Sequence, residues 1–151
     1  MRLLVPGTRV PDFELTTTHG ERMTSAEMPA SYLLVFYPFA FSRVCTAELR
    51  ELQEHLADMR DRDVEIFGVS VDHKFALRAY AEQEGLDFAL LADFWPHGAT
   101  AQQFGCFDAD AGRALRATYL VREGRIVDAF SSAAGEARPW SRYEQALERA
   151  A

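Results

Sequence analysis

In the stretch VFYPFAFSRVCTAELRELQ, residues 35 to 53, Cys45 ends an aromatic, apolar run and opens a strongly helical one. The thiolate is the reactive form of cysteine, and a free thiol with a pKa of about 8.5 is mostly protonated at neutral pH, so a working cysteine needs positive potential beside it. A helix that begins near Val44 or Cys45 supplies some, because the first N–H groups of a helix have no intrahelical acceptor and carry the positive end of the macrodipole. That contribution is roughly 0.3 to 2 kcal/mol, only part of what a nucleophile requires. An arginine within hydrogen-bond reach would supply the rest, since its charge is fixed and its fork of donors can hold a second atom as well. Pro38 has a rigid ring and no N–H, which suits it to wall off one side of the sulfur. Ser42, three residues before Cys45, offers a hydroxyl that could orient a substrate O–H. Against this stands a plainer reading, a buried cysteine acting as a small hydrophobe.

The other chemistry-bearing residues narrow the choice. The second cysteine, Cys106 in QQFGCFDADAG, reads as a buried small residue at a strand entrance. There is no Cys-x-x-Cys, which argues against dithiol exchange, and position 50, five residues after Cys45, is arginine. His19, His55, His73 and His97 show no spacing that suggests a metal site. Glu48 and Glu51 share a helix face and read as solvated carboxylates, and Phe94 and Trp95 as core or interface residues.

These groups must be positioned by elements, and the pattern of apolar residues supplies them. PDFELTTTHGERMT reads as a hairpin around His19 and Gly20. SYLLVFYP is a near-continuous apolar run suited to a strand buried on both faces. Leu49, Leu52, Leu56 and Met59 then recur at spacings of three and four, an amphipathic helix. VEIFGVSVD is a second buried strand, after which Ser70 and Asp72 are candidate caps for a helix closing at Gly85. DFALLAD is a third strand, the segment from Pro96 to Gly105 holds a short helix, RATYLVREGRIVDAFSS makes a hairpin around Glu123 and Gly124, and PWSRYEQALERAA closes the chain as a helix. The order reads ββαβαβαββα, an α/β sandwich with a central mixed sheet and helices on both faces, whose ligand crevice lies at the carboxyl ends of the strands. Cys45 falls at one such end.

Length and composition set the outer limits. A chain of 151 residues, 48% hydrophobic with 11 Phe and 5 Tyr, is expected to form one domain over residues 1–151. With 23 acidic against 16 basic residues and a net charge of −7, nucleic acid and anionic membranes are poor partners. The longest apolar run is broken by Pro38 and falls short of a membrane span, and MRLLVPG lacks the features of a signal peptide, so the expected location is the cytoplasm. Two cysteines in such a chain do not make a disulfide scaffold.

PFAFSRVC resembles the active-site signature of the peroxiredoxin family, with Pro38, Ser42 and Cys45 in register, and TAELRELQ resembles the helix that follows it. LLADFWPHGATAQQFG and AGRALRATYLV resemble the segments leading to the family's remaining active-site residue, which falls at Arg116. The similarity runs from PGTRVPDFEL to the terminal helix, and DFWPHGA and the overall length are most like the one-cysteine alkyl hydroperoxide reductase E type. The resemblance implies a thioredoxin-like three-layer sandwich and a thiol-dependent peroxidase without metal or organic cofactor. Hydrogen peroxide, organic hydroperoxides or peroxynitrite would convert Cys45 to a sulfenic acid. By the same resemblance Arg116 and the Cys45 N–H stabilise the leaving oxygen, Ser42 positions the peroxide, Pro38 shields the sulfur, Glu48 holds Arg116, and Arg138 is a second arginine near the site. The family usually carries an apolar residue at position 106, which leaves no resolving cysteine and makes an external thiol the reductant: a thioredoxin-like or mycoredoxin-like protein or a low-molecular-weight thiol. A homodimer packing the active-site ends together, or a larger ring, is also implied. Other uses of the same thiol are a redox sensor or holdase and a specialised biosynthetic step.

Overall fold

The computed structural model describes residues 2–150. Its main sheet has seven strands in the order β2 (Arg22–Thr24), β1 (Glu14–Thr17), β5 (Ala89–Ala92), β4 (Glu65–Ser70), β3 (Ser31–Phe36), β8 (Arg116–Arg122), β9 (Arg125–Ser132). The expected hairpin is β1 and β2, paired antiparallel. β3, β4 and β5 run parallel at the centre, and β8 and β9 form the antiparallel hairpin on the far side of β3. The sheet is therefore mixed, as the element pattern predicts. Three strands precede the first α-helix, matching the hairpin and SYLLVFYP read from the sequence, so the order ββαβαβαββα is one strand short at its start. A two-stranded hairpin of β6 (Phe107–Asp108) and β7 (Arg113–Ala114) was not foreseen, its strands being too short to show a period.

Alternation along the strands sorts the core in two. Leu33, Val35 and Tyr37 face one cluster, which they share with residues of α1 (Arg43–Glu54), α2 (Leu56–Asp61), α3 (Lys74–Glu84) and α5 (Trp140–Arg149). Tyr32, Leu34 and Phe36 face the other, covered by α4 (Ala99–Gln103), the N-terminal segment and the small hairpin. Helices lie on both faces, but four of the five are on the first. Leu49 and Leu52 on the buried stripe of α1 are 1% and 2% exposed, and each such side chain stabilises the fold by about 2 kcal/mol through burial.

Local chemistry departs from expectation in two places. α3 is capped by His73, whose Nδ1 accepts from the Phe75 N–H at 3.3 Å, and not by Ser70 or Asp72. Asp72 instead accepts from the Ser70 hydroxyl at 2.6 Å and the Ala40 N–H at 2.8 Å, tying the loop after β3 to the end of β4. Gly85 ends α3 in the left-handed region at φ 64°, as its position predicts.

At the end of β5, Asp93 accepts from the N–H groups of Thr100 and Ala101, at 3.0 and 2.9 Å, and so fixes α4 and the loop before it. Gly98 in that loop has φ 71°, and a Cβ there would stand 2.2 Å from the Phe107 ring, so both conformation and space require glycine. Asp93 is 5% exposed, and burial pushes its carboxyl up to about 6 despite the two N–H donors. A folded-state value above the unfolded one of about 3.9 means that this group favours folding most when protonated. Its contribution is complete below about pH 4 and is lost as the pH rises through 6. In urea denaturation from pH 4 to 7, the wild-type chain should lose of the order of 2 kcal/mol relative to Asp93→Asn. A relative gain by the wild type over that range would contradict the assignment.

Candidate active site

Two features of the sheet bring Cys45 and Arg116 together although 71 positions separate them. β3 delivers the chain to α1 at its carboxyl end, and β8 runs antiparallel beside it, with Phe36 opposite Ala117. The first residue of β8 therefore stands where β3 ends. Alternation then sends Arg116, Thr118 and Leu120 to the helix-bearing face.

α1 starts at Arg43 with Ser42 as its N-cap, one or two residues earlier than the sequence suggests. Serine at this position commonly caps the free N–H groups, but the Ser42 hydroxyl donates to the Phe39 carbonyl at 3.0 Å and makes no cap. The first intrahelical bond is from the Thr46 N–H to the Ser42 carbonyl at 2.9 Å. The N–H groups of Arg43, Val44 and Cys45 are thus left without acceptors among the described residues, a cluster of donors at the sulfur's end of the helix. The Ser42 oxygen has spent its proton and keeps its lone pairs, so it is set to accept a hydrogen bond from a substrate. Pro38 is buried in the same loop, and Cys45 is 0% exposed.

Arg116 Nη1 donates to Cys45 Sγ at 3.1 Å and to Glu48 Oε1 at 2.8 Å, and Nε donates to the Ala134 carbonyl at 2.8 Å. Its Nη2 has no hydrogen-bond partner among the described residues, and the side chain keeps 4% exposure. Arg116 thus presents two free donors beside the sulfur.

Glu48 is no solvated carboxylate: its side chain is 2% exposed and bridges two arginines. Arg138 donates to it from the backbone N–H at 2.5 Å and from Nε and Nη2 at 3.0 Å each. Arg138 Nη1 also reaches the Phe36 carbonyl at 2.8 Å and the Thr118 hydroxyl at 3.0 Å. Burial works to raise the Glu48 carboxyl, but the Arg138 hydrogen bonds and charge outweigh it and hold the group below the usual carboxylate range. Apart from Arg116 Nη2, the array is a paired, hydrogen-bonded set of buried charges, the form in which such charges are tolerated.

All six residues expected at the site, Pro38, Ser42, Cys45, Glu48, Arg116 and Arg138, fall in this loop-and-helix region or in its buried ion network. Thr118, whose hydroxyl also meets that of Tyr143 at 3.0 Å, was not foreseen, although Arg116 and Thr118 are the polar residues on one face of RATYLV and that pattern was a usable signal. Thr46 and Tyr80, hydroxyl to hydroxyl at 2.8 Å, left no such trace. His97 lies apart, its Nε2 2.8 Å from the Gly112 carbonyl. Phe94 and Trp95 are 44% and 82% exposed, so neither is a core residue.

Cys106 belongs to the opposite core cluster from Cys45. Both are free and fully buried, with the sheet between them, and burial pushes the Cys106 thiol well up.

Ser42→Thr adds a methyl that limits χ1 while keeping the hydroxyl. It should leave the rate of Cys45 oxidation by hydrogen peroxide unchanged or raise it a few-fold in stopped-flow assays, and a large loss would show that the Ser42 hydroxyl does not have the placement described.

A buried cysteine at the start of a helix, held by an arginine donor at the end of a mixed α/β sheet, is a framework shared by a class of thiol enzymes, and comparison with known proteins narrows it. Residues 6–130 match the AhpC/TSA family. The chain is 36% identical over 148 residues to alkyl hydroperoxide reductase E of Mycobacterium tuberculosis, covering 96% of this chain and 97% of that protein. It is 28% identical over 113 residues to alkyl hydroperoxide reductase C of Amphibacillus xylanus, covering 72% and 59%. The crystal structure of Enterococcus faecalis AhpC superposes with a TM-score of 0.87 at 30% identity, over 99% of this chain and 93% of that one. The chain belongs to the AhpC/TSA family of peroxiredoxins and is a thiol-dependent peroxidase.

Proposed function

We propose that Cys45 is the peroxidatic residue of a one-cysteine cycle. The Cys45 sulfur attacks one oxygen of a hydroperoxide: an S–O bond forms as the O–O bond breaks, and the leaving oxygen takes the electron pair and a proton to depart as water or an alcohol. Negative charge builds on the leaving oxygen, where preorganised donors act most strongly. Arg116 Nη2 and the Cys45 N–H are placed to supply them, with Ser42 accepting from the peroxide, Pro38 shielding the sulfur and Glu48 and Arg138 holding Arg116. An external thiol then attacks the sulfenic acid sulfur, releasing water and leaving a mixed disulfide that a second thiol reduces. The observation that carries this reading is the single Arg116 nitrogen shared between Cys45 Sγ and Glu48.

Stopped-flow mixing of reduced protein with hydrogen peroxide, followed by Trp95 and Trp140 fluorescence, tests it, with Cys45→Ser as background. Oxidation orders of magnitude faster than that of free cysteine is expected; a rate no faster would sink the proposal. The sheet between the two thiols favours an external reductant over Cys106, of thioredoxin-like, mycoredoxin-like or low-molecular-weight type.

We also propose that residues 1–151 act as one domain in the cytoplasm. Among the described residues no helix is long and apolar enough to cross a membrane. A homodimer is supported by exposed aromatic side chains: Phe39 and Phe41 beside the site, and Phe75 and Phe94, joined through the His73 ring at 5.0 and 4.9 Å, with Trp95 next in the chain. A sedimentation profile of monomer alone would remove the dimer.

A further inference from the structure

β3 and β4 are parallel neighbours, so the chain leaves the sheet side by side at their carboxyl ends. Phe36 stands opposite Val69, and the Tyr37 N–H extends the pairing to the Val69 carbonyl at 3.0 Å. Beyond that point the loop of residues 38–42, which carries Pro38 and Ser42 to α1, runs next to the turn from Ser70 to Asp72. α1 itself is fixed from another side, by the Arg116 donor on Cys45 and by the ion network around Glu48. The loop before it has its own anchor. Among the described residues, the bond from the Ala40 N–H to Asp72 Oδ2 at 2.8 Å is the only hydrogen bond that joins residues 38–42 to any part of the chain outside this loop and α1. Ala40 is 9% exposed between Phe39 and Phe41 at 39% and 51%, so the clamped residue is the sheltered one.

The Ala40 N–H and the Phe39 carbonyl are the two ends of one trans peptide, and its planarity points them in opposite directions. That carbonyl is the acceptor of the Ser42 hydroxyl proton, at 3.0 Å. A single rigid unit therefore stands between Asp72 and Ser42: the carboxylate takes the N–H at one end, and the carbonyl at the other takes the Ser42 proton. An anionic acceptor polarises the peptide it binds and makes the carbonyl at the far end a stronger acceptor. Asp72 is aimed in turn. The Ser70 hydroxyl, 0% exposed, donates to the same Oδ2 at 2.6 Å and accepts from the Asp72 N–H at 3.3 Å.

We propose that Asp72 is a positioning residue of the peroxide site: through the Phe39–Ala40 peptide it fixes the direction of the Ser42 proton and so turns the Ser42 lone pairs toward the O–H of the incoming peroxide. The inference rests on the peroxidatic role given to Cys45 and on Ser42 as the acceptor. A Ser42 hydroxyl without a fixed acceptor has other staggered orientations, and some of them set its own proton against that of the peroxide. Among the described residues no hydrogen bond joins Asp72 to Cys45 or Arg116, so its effect on the reaction passes through Ser42.

The test measures the second-order rate of Cys45 oxidation by hydrogen peroxide, in stopped-flow, for Asp72→Ala, Asp72→Asn, Ser70→Ala and Ser42→Ala, and for Asp72→Ala and Ser70→Ala each combined with Ser42→Ala. Asp72→Ala should slow oxidation about tenfold, the effect of one oriented hydrogen bond. Asp72→Asn keeps an acceptor oxygen for the Ala40 N–H and should stay within about threefold of the wild type. Beside Ser42→Ala, the loss from Asp72→Ala should shrink to less than about twofold, because the group it positions is gone. The Cys45 thiolate, titrated by its ultraviolet absorbance, should keep its midpoint in Asp72→Ala, which a purely electrostatic role would move. An unaffected rate in Asp72→Ala, additive losses in the double variant, Asp72→Asn as slow as Asp72→Ala, or a thiolate midpoint displaced enough to account for the loss would each overturn the proposal. If urea denaturation shows that Asp72→Ala folds poorly, Ser70→Ala carries the test, since it keeps the carboxylate and removes only the hydroxyl that aims it. It should slow oxidation about threefold alone and leave the rate unchanged beside Ser42→Ala; equal losses in the two backgrounds would overturn the proposal. A wild-type chain oxidised no faster than free cysteine would overturn the peroxidatic reading and the role of Asp72 together, whereas a fast wild type with an unaffected Asp72→Ala would overturn the role of Asp72 alone.

Discussion

Replacing Arg116 by methionine is expected to slow the oxidation of Cys45 by hydrogen peroxide about 10²- to 10³-fold. Methionine keeps much of the arginine's length and reaches the same buried place, but it donates nothing. The reaction loses the Nη1 donor 3.1 Å from the sulfur and the two Nη2 donors available to the departing oxygen. Removing one preorganised donor of this kind costs on the order of 3 kcal/mol in the transition state, the fold-change stated. The fold should suffer less, because Glu48 keeps its three hydrogen bonds from Arg138. Arg116→Lys is expected to recover little, since a single ammonium cannot serve Cys45, Glu48 and the Ala134 carbonyl together. A loss below tenfold for Arg116→Met, measured as the second-order rate of the fluorescence change, would show that catalysis does not pass through this guanidinium.

Glu48→Gln should produce the largest stability loss of any substitution discussed, about 3 to 5 kcal/mol. The carboxylate is the shared counter-charge of two guanidinium groups whose side chains are 4% and 1% exposed. Glutamine preserves the shape but turns an NH₂ toward donors and leaves two buried cations facing each other. Such a loss is a large part of a typical domain stability of about 5 to 15 kcal/mol, so urea denaturation should show the midpoint falling sharply. The pH dependence has a definite sign. Because the folded value of Glu48 lies below the unfolded one of about 4.3, its contribution is present above that pH and lost as the pH falls through the folded value. The gap between wild type and Glu48→Gln should therefore narrow in acid. An equal midpoint for the two proteins at pH 7 would mean that the bridge is not what holds the arginines.

The parts of the molecule that were legible in the sequence are those with a period or a fixed partner. SYLLVF and EIFGVS announce buried strands by their unbroken apolar runs, and the Leu49, Leu52, Leu56, Met59 series announces the helix behind Cys45. The break between α1 and α2 at His55 is hidden in that series, because the apolar spacing continues through it. Cys45, Pro38 and Ser42 were visible together because they are close in the chain. Arg116 was identified only by resemblance: its place on the polar face of RATYLV does not say what it meets, and its meeting with the sulfur depends on β8 lying antiparallel beside β3. Glu48 was placed beside Arg116 by the resemblance alone; its local reading as a solvated i, i+3 acidic pair misled, since a helix face gives no sign that two buried arginines will be brought to it. Asp72 misled in the opposite way. It has the chemistry of a helix cap, but the nearby Ala40 N–H, exposed by the turn after Pro38, competes for it and wins.

The sheet that divides the two cores also settles how this chain could be converted to a cycle that resolves itself. A designer seeking an internal disulfide gains nothing from Cys106, because the hydrogen-bonded sheet stands between its sulfur and Cys45. The second thiol would have to be introduced on the face that carries α1, α2, α3 and α5, in a segment close to the start of α1. Cys106 would take no part in that cycle, buried on the face covered by α4 and the N-terminal segment.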